Sequence, residues 1–216
     1  GLETFAEGMR DKVDRSRGAC GEHHLLRVGG IQISGDLPPR VLVGGVGLLG
    51  KARVTMQIDV GFGDVITPGA VDITYPVLLD FPAPALSGYP RETVIAEKFQ
   101  AMVYLRTLNS RMKDFHDLWL LARQFAFDGA LLAKAIAATF ENRETAMDVV
   151  PIAFTPEFTE QASTVAQWTA FRKKLPNTEC PETLADVVPF LADFLLPIAR
   201  ACAADERFEQ RWQPGG

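Results

Sequence analysis

Cysteine is scarce in this 216-residue chain, and its three residues, Cys20, Cys180 and Cys202, lie far apart. This spacing excludes a zinc knuckle, a thioredoxin-type pair and a disulfide-rich mini-protein, because each needs closely paired or more numerous cysteines. We therefore expect reduced thiols in a cytoplasmic protein.

Long apolar runs are also lacking. The most apolar stretch, Val187–Ala204, is interrupted by Pro189, Asp193, Pro197 and Arg200, whereas a membrane span needs about 18 uninterrupted apolar residues. No membrane-spanning segment and no membrane partner are expected.

An excess of positive charge is absent as well. The chain has 22 Lys and Arg against 27 Asp and Glu, so its formal net charge is −5. This excludes indiscriminate binding of polyanions, and any contact with nucleic acid must come from a local patch. With 47% hydrophobic and 23% charged residues, the chain has the composition of one globular domain or two small ones.

Strand and helix patterns occupy different parts of the chain. Strand patterns fill residues 29–79, and Arg53–Val60 alternates strictly between polar and apolar residues. Helices are predicted at about 90–105, 113–124, 128–140, 156–175 and 182–204, with a turn at Asn109 and Ser110 before the second and Asp128 as the N-cap of the third. The apolar residues expected on the buried faces of the first three helices are Ile95, Phe99, Met102, Val103, Phe115, Leu118, Trp119, Ala122, Leu131, Leu132, Ala135, Ile136 and Phe140. This order predicts an α+β protein with a sheet lobe over residues 1–88 and a helical lobe over residues 89–216.

The glycine-rich segment Gly45–Lys51 satisfies G-x-G-x-x-G and nearly satisfies the phosphate-loop pattern. A phosphate loop needs Ser or Thr after the Lys and a helix directly downstream. Here Ala52 follows, and the alternating strand begins. Residues 41–50 are therefore interpreted as a strand, a glycine-permitted hairpin turn and a second strand.

Asp59 belongs to the first of three clusters whose residues could take part in catalysis or ligand binding. It lies at the end of the polar face of the alternating strand, and Gly61 and Gly63 are expected to bend the backbone away after it. A carboxylate at a strand end can hold a divalent cation where glycines let a ligand approach. The plainer alternative is a solvated edge residue.

Glu97 and Lys98 form the second cluster, within the first predicted helix. Lys98 shares a helix face with Ala101 and Met102, so its ammonium can emerge along a packed surface and meet phosphate oxygens. The alternative is a surface lysine paired with Glu97 or Glu92.

The third cluster lies between Arg111 and Asp117, near the start of the second predicted helix. Asp114 is three residues before Asp117 and Lys113 is four residues before it, so the three side chains share one helix surface. Capping by first-turn acids, worth about 0.3–1 kcal/mol each, is the alternative. His116 lies off this line and is interpreted as structural or exposed.

In this order and spacing, the clusters resemble the nucleotidyl transferase AbiEii/AbiGii toxin family, which includes the MenT-type toxins. The matching segments are Asp59–Asp64, Glu97–Ala101, Arg111–Asp117 and Ala138–Arg143, with a weaker one at Gln167–Phe171. The resemblance implies a fold like the DNA polymerase β superfamily, in which a mostly antiparallel or mixed nucleotidyltransferase sheet lobe precedes a C-terminal helical bundle. It also implies a toxin with a separately encoded antitoxin, and some members transfer nucleotides to tRNA 3′ ends.

The resemblance implies a role for each cluster. Nucleotidyl transfer is the attack of a hydroxyl on the α-phosphate of an NTP, with charge balanced by two Mg²⁺ ions on strand carboxylates. By position, Asp59 would be a catalytic Mg²⁺ ligand, Lys98 would bind the triphosphate, and Asp114 would orient it or the incoming hydroxyl. Further charged residues that would support the nucleotide or the cleft wall are Glu97, Arg111, Lys113 and Asp117.

One family motif is missing. The family's first motif is a Gly-Ser followed by Asp-x-Asp or Asp-x-Glu, but this chain has no Gly-Ser and no Asp-x-Asp, and residues 11–14 are interpreted as a helix. The chain begins at Gly1 rather than Met. We therefore expect an N-terminally truncated or fragmentary member in which a Mg²⁺ pair binds poorly.

Two other interpretations stay open. A degenerate relative would bind a nucleotide or the antitoxin without catalysis, and it predicts no Gly-Ser and Asp-x-Asp motif in the upstream DNA. A helical interaction protein outside the family is the third, and it predicts that Asp59, Lys98 and Asp114 lie far apart.

Overall fold

The structure, a computed structural model, describes residues 24–34, 40–49, 51–78, 80, 82–175 and 179–216. The helix predicted at residues 11–14 lies outside these ranges, as does Cys20. The chain forms two compact units, residues 1–64 and residues 65–216. The change from strands to helices predicted near residue 89 falls inside the second unit, because a strand hairpin precedes the helices there.

The first unit contains a three-stranded antiparallel sheet with the strand order β1–β2–β3. The strands are β1 (His24–Ser34), β2 (Arg40–Leu49) and β3 (Ala52–Gly61). Val43 pairs with Ile58 and Leu49 pairs with Ala52. The strands predicted in this part of the chain are confirmed.

The glycine-rich segment is part of strand β2. β2 runs unbroken to Leu49 and β3 begins at Ala52, so a strand and not a helix follows, as predicted. The position predicted for the turn, inside residues 41–50, is wrong, because the chain reverses only between Leu49 and Ala52. Gly47 lies within the strand, and the Met56 side chain approaches to 3.5 Å from where a Cβ of Gly47 would lie. This is an ordinary van der Waals distance, so the contact with Met56 does not itself require glycine at this position.

The apolar residues of β3 occupy alternate positions, as predicted, but they are not buried. Val54, Met56 and Ile58 are all exposed. Alternation determines that these side chains share one face of the sheet. It does not determine whether another part of the protein covers that face.

The second unit begins with an antiparallel hairpin and continues as a helical bundle. The hairpin strands are β4 (Val71–Thr74) and β5 (Ala85–Gly88). The helices are α1 (Arg91–Leu105), α2 (Met112–Gln124), α3 (Gly129–Asn142), α4 (Pro156–Thr159), α5 (Ala162–Arg172) and α6 (Leu184–Ala203). A short pair, β6 (Phe127–Asp128) and β7 (Arg211–Trp212), joins the C-terminal segment to the start of α3. The predicted α+β class is confirmed.

Local signals explain where the helices begin. At the start of α3, the Asp128 carboxylate accepts a hydrogen bond from the Leu131 N–H at 3.0 Å, which confirms the predicted cap. Pro90 precedes α1 by one residue, and its carbonyl accepts from the Val94 N–H at 3.1 Å. Proline suits this position because it has no N–H to satisfy.

The helix predicted at 156–175 is wrong in one respect, since it is divided into α4 and α5. Phe158 on α4 and Trp168 on α5 are both fully buried. The break falls between these two residues, at Glu160 and Gln161.

The core of the second unit is formed mainly by α1, α2, α3 and α6. The apolar residues predicted on the first three helices that are buried are Ile95, Phe99, Met102, Val103, Phe115, Leu118, Trp119, Ala122, Leu132, Ala135, Ile136 and Phe140. α6 adds Leu191, Leu195 and Ile198 at helical spacing. Within the described ranges, we find no helix with the length and apolar character that a membrane crossing requires.

Candidate active site

Lys98 lies at the centre of an ion cluster between α1 and α2. Its ammonium donates a hydrogen bond to Asp114 Oδ1 at 2.6 Å and lies 2.8 Å from Asp117 Oδ2. Residues three apart on a helix lie on the same face, so one ammonium can contact both carboxylates. These partners belong to α2, whereas the alternative from sequence paired Lys98 with Glu97 or Glu92 on its own helix.

Two exposed cations complete the cluster. Lys113 Nζ lies 2.5 Å from Asp117 Oδ2, the same oxygen that Lys98 contacts, and Arg111 Nε lies 3.5 Å from Asp114 Oδ2. The Lys98 side chain is 19% exposed, but that of Lys113 is 72% exposed. Three cations therefore face two carboxylates, and the cluster carries one net positive charge that can attract an anion.

The loop before α2 determines where the cluster begins. Asn109 Oδ1 accepts a hydrogen bond from the Arg111 N–H at 2.9 Å, which confirms the predicted turn. Asp114 lies in the first turn of α2. The helix dipole stabilises a negative charge at this position.

His116 packs between aromatic rings behind the cluster. Its ring centroid is 5.6 Å from that of Phe171 and 6.4 Å from that of Trp119. Its Nδ1 lies 3.7 Å from Asp117 Oδ1. This packing agrees with the structural role predicted for His116, which links α2 to α5.

Glu97 contacts a different helix from its neighbour Lys98. Its Oε2 pairs with Nη2 of Arg143, the residue that follows α3, and Arg143 Nη1 donates to Gln100 Oε1 at 3.1 Å. The sequence predicted a supporting role for Glu97 but no role for Arg143 or Gln100. Arg143 ends the segment Ala138–Arg143 that resembles the family, and this was the only signal that could have singled it out.

The cluster shifts the pKa values of two of its members. Burial acts to lower the pKa of Lys98, but the hydrogen bonds and charges of Asp114 and Asp117 outweigh it and raise that pKa above its ordinary value. Burial acts to raise the pKa of Asp117, but its hydrogen bonds with Lys113 and Lys98 outweigh it and lower that pKa. Both shifts favour the charged forms.

We expect the ion cluster to stabilise the fold at neutral pH and to lose this contribution at both extremes. The lowered pKa of Asp117 gives stability that is present above the ordinary value of 3.8 and lost as pH falls through the folded value. The raised pKa of Lys98 gives stability that is present below 10.5 and lost as pH rises through the folded value. Asp117→Asn should cost about 1–2 kcal/mol at pH 7.

Urea unfolding of the wild type and Asp117→Asn from pH 3 to pH 8 measures this contribution. The difference in unfolding free energy between the two proteins should shrink below about pH 4. Glu179→Gln is the control, because the Glu179 carboxylate is exposed and lies 4.0 Å from Arg123. Parallel pH profiles for the wild type and Asp117→Asn would contradict the expectation.

Asp59 belongs to the first unit, and its side chain is exposed near the end of β3. Gly63, close behind it, adopts φ +84°, which favours glycine, so the predicted bend after the strand is confirmed there. In the part of the chain that the structure describes, no three His, Cys, Asp or Glu side chains are grouped to hold a metal ion. The role of Asp59 as a Mg²⁺ ligand stays a prediction.

Comparison with known proteins identifies the family. A family model described as nucleotidyl transferase AbiEii toxin, type IV toxin–antitoxin system, matches residues 3–189. A search of curated proteins and a search of solved structures each found no match. Because the family model covers most of the 216 residues and the segment that carries the ion cluster, the chain belongs to the AbiEii nucleotidyl transferase toxin family.

Proposed function

We propose that this chain acts in the transfer of a nucleotide from an NTP to an acceptor such as tRNA. Family membership supports the reaction class. The assignment of the triphosphate-binding role to Lys98 depends on one observation. The Lys98 ammonium lies between Asp114 and Asp117, in a cluster with one net positive charge. A lysine in this setting is a point charge suited to phosphate oxygens.

Triphosphate oxygens can replace Asp117 as a partner of Lys98. Lys113 contacts the same Asp117 oxygen, so Asp117 keeps a cation when Lys98 turns to a phosphate. The exchange leaves no carboxylate without a counter-charge, which keeps its cost low. Lys113 thus supports the site without touching the nucleotide.

Asp114 is suited to hold Lys98 in place during the exchange. Its two oxygens contact Lys98 and Arg111 separately, so it can keep both cations directed at the phosphates. In the reaction, the acceptor hydroxyl forms a bond to the α-phosphorus while the bond to the β-phosphate oxygen breaks, and pyrophosphate leaves. Asp114 would orient the triphosphate through Lys98, or accept a hydrogen bond from the incoming hydroxyl.

Mg²⁺ would supply charge neutralisation on the phosphates and activation of the attacking hydroxyl. Asp59 would provide one carboxylate ligand for the ion. Asp114 and Asp117 already bind lysines, so we do not count them as ligands. The toxin–antitoxin family also implies a separately encoded antitoxin as a partner.

Transfer of label to RNA tests the proposal. The chain is incubated with Mg²⁺, total tRNA and each labelled NTP in turn, and label is expected on RNA with at least one NTP. Asp114→Asn and Asp59→Ala should each reduce transfer by about 100-fold or more. Asp205→Asn is the control, because Asp205 is exposed and its positive φ of 54° suits asparagine equally well.

Two outcomes would overturn the proposal. Full transfer by both variants would show that the residues are wrongly assigned. No transfer, combined with NTP binding that the Lys98→Met variant loses, would favour the non-catalytic nucleotide-binding module instead.

A further inference from the structure

The guanidinium of Arg143 contacts two residues in one turn of α1. Its Nη2 pairs with Glu97 Oε2, and its Nη1 donates to Gln100 Oε1 at 3.1 Å. Glu97 and Gln100 are three residues apart and therefore lie on the same face of α1. A guanidinium is a planar fork, so two simultaneous hydrogen bonds fix its orientation relative to the helix.

Thr145 closes the network on the same side. Gln100 Nε2 donates to Thr145 Oγ1 at 2.7 Å, and that hydroxyl donates to the Arg143 carbonyl at 3.1 Å. Gln100 is buried, and the Glu97 and Arg143 side chains are each about one-fifth exposed. Because these hydrogen bonds are largely shielded from water, they hold the turn after α3 firmly against α1.

α3, rather than α2, is the main support of α1. α1 packs much more extensively on α3 than on α2, and the Phe99 and Phe140 rings lie 5.4 Å apart in that interface. The docking of α1 on α3 therefore determines its rotation relative to α2. A side chain extends about 5 Å from the helix axis, so a rotation of about 20° would move its tip by about 2 Å. A shift of this size would break the hydrogen bonds of Lys98.

We propose that Arg143 is a positioning residue, which together with Glu97 and Gln100 fixes the rotation of α1 that places the Lys98 ammonium between Asp114 and Asp117. Glu97 then acts on the nucleotide only through Lys98, and not by contact. The catalytic consequence rests on the proposed function, whereas the position of Lys98 can be measured without any activity.

NMR of a chain labelled with ¹⁵N-lysine tests the position of Lys98 directly. The Lys98 ammonium signal is assigned by its loss in Lys98→Arg and is titrated against pH. Arg143→Ala is expected to shift this signal and to lower the pKa of Lys98 toward its ordinary value of 10.5. Arg143→Lys, which keeps the charge but loses the fork, should give an intermediate result.

Arg123→Ala is the matched control. Arg123 is also an arginine of the second unit, and it lies 4.0 Å from the Glu179 carboxylate. It is not part of the network that Arg143 forms with Glu97 and Gln100. This variant should leave the Lys98 signal unchanged. In the transfer assay, Arg143→Ala should reduce kcat/KM by about 10- to 100-fold, whereas Arg123→Ala should not.

An unchanged Lys98 signal in a folded Arg143→Ala protein would overturn the proposal, because Arg143 would then serve stability alone. If Arg143→Ala does not fold, Glu97→Gln and Arg143→Lys decide the question by the same measurement. If no variant and no wild-type chain transfers a nucleotide, the proposed function fails. The NMR comparison still decides whether Arg143 positions Lys98.

Discussion

Replacement of Lys98 with methionine is expected to reduce nucleotidyl transfer by about 100- to 1000-fold, the usual cost of removing one donor from a transition-state site. Methionine matches the length of the lysine stem but cannot donate to a phosphate oxygen. Lys98→Arg keeps the positive charge and should retain more activity than Lys98→Met. It should not restore full activity, because the planar guanidinium does not fit the position in which the compact lysine ammonium contacts both carboxylates.

Lys98→Met should also destabilise the second unit. Without Lys98, Asp114 and Asp117 lose their shared partner, and Asp114 is only 11% exposed. Arg111 and Lys113 still contact the two carboxylates, so the loss should be about 2 kcal/mol rather than the larger cost of an unpaired buried charge. Activity must therefore be compared per folded molecule, with the folded fraction measured by circular dichroism.

Two lysine variants separate the role of position from that of charge. Lys134→Met removes an exposed cation from α3 and should change neither activity nor stability. Lys113→Met removes the exposed partner of Asp117, and it should weaken the binding of NTP less than Lys98→Met does. Equal activity of Lys98→Met and Lys134→Met would contradict the assignment of Lys98.

The helices of the second unit could be predicted largely from residue spacing and helix caps. Apolar residues at helical intervals identified the buried faces of α1, α2 and α3, and Asp128 marked the start of α3. These features are local, because they depend on residues three or four positions apart. The division of α4 from α5 was missed, since it falls at Glu160 and Gln161 and no Gly or Pro marks it.

The candidate site could be predicted only in part, for the same physical reason. Spacing placed Asp114 and Asp117 on one face of α2, but it could not choose between them and Glu97 as partners of Lys98. That choice depends on how α1 packs against α2, across 16 residues of chain. The Arg143 network is more distant still, since Gln100 and Thr145 are 45 residues apart.

Phe115→Ala is expected to lower the free energy of unfolding of the second unit by about 3–5 kcal/mol, the usual cost of deleting a buried aromatic ring. Phe115 lies beside Asp114 in sequence, but its side chain is fully buried and stacks on Phe158 at a centroid distance of 5.9 Å. Since a domain is stable by only about 5–15 kcal/mol, this loss should be evident in urea or thermal unfolding. Phe115→Leu, which fills most of the space, should cost less.

Variants of the neighbouring residues Phe115 and Asp114 should therefore separate effects on stability from effects on catalysis. Phe115 faces the core while Asp114 and Asp117 face Lys98, so Phe115→Ala molecules that remain folded should keep the wild-type Lys98 ammonium signal and near-normal transfer per folded molecule. Asp114→Asn should show the opposite, with a smaller loss of stability and a much larger loss of transfer. If Phe115→Ala changed the Lys98 signal as strongly as Asp114→Asn does, the core beneath α2, and not the ion cluster, would control the geometry of the site.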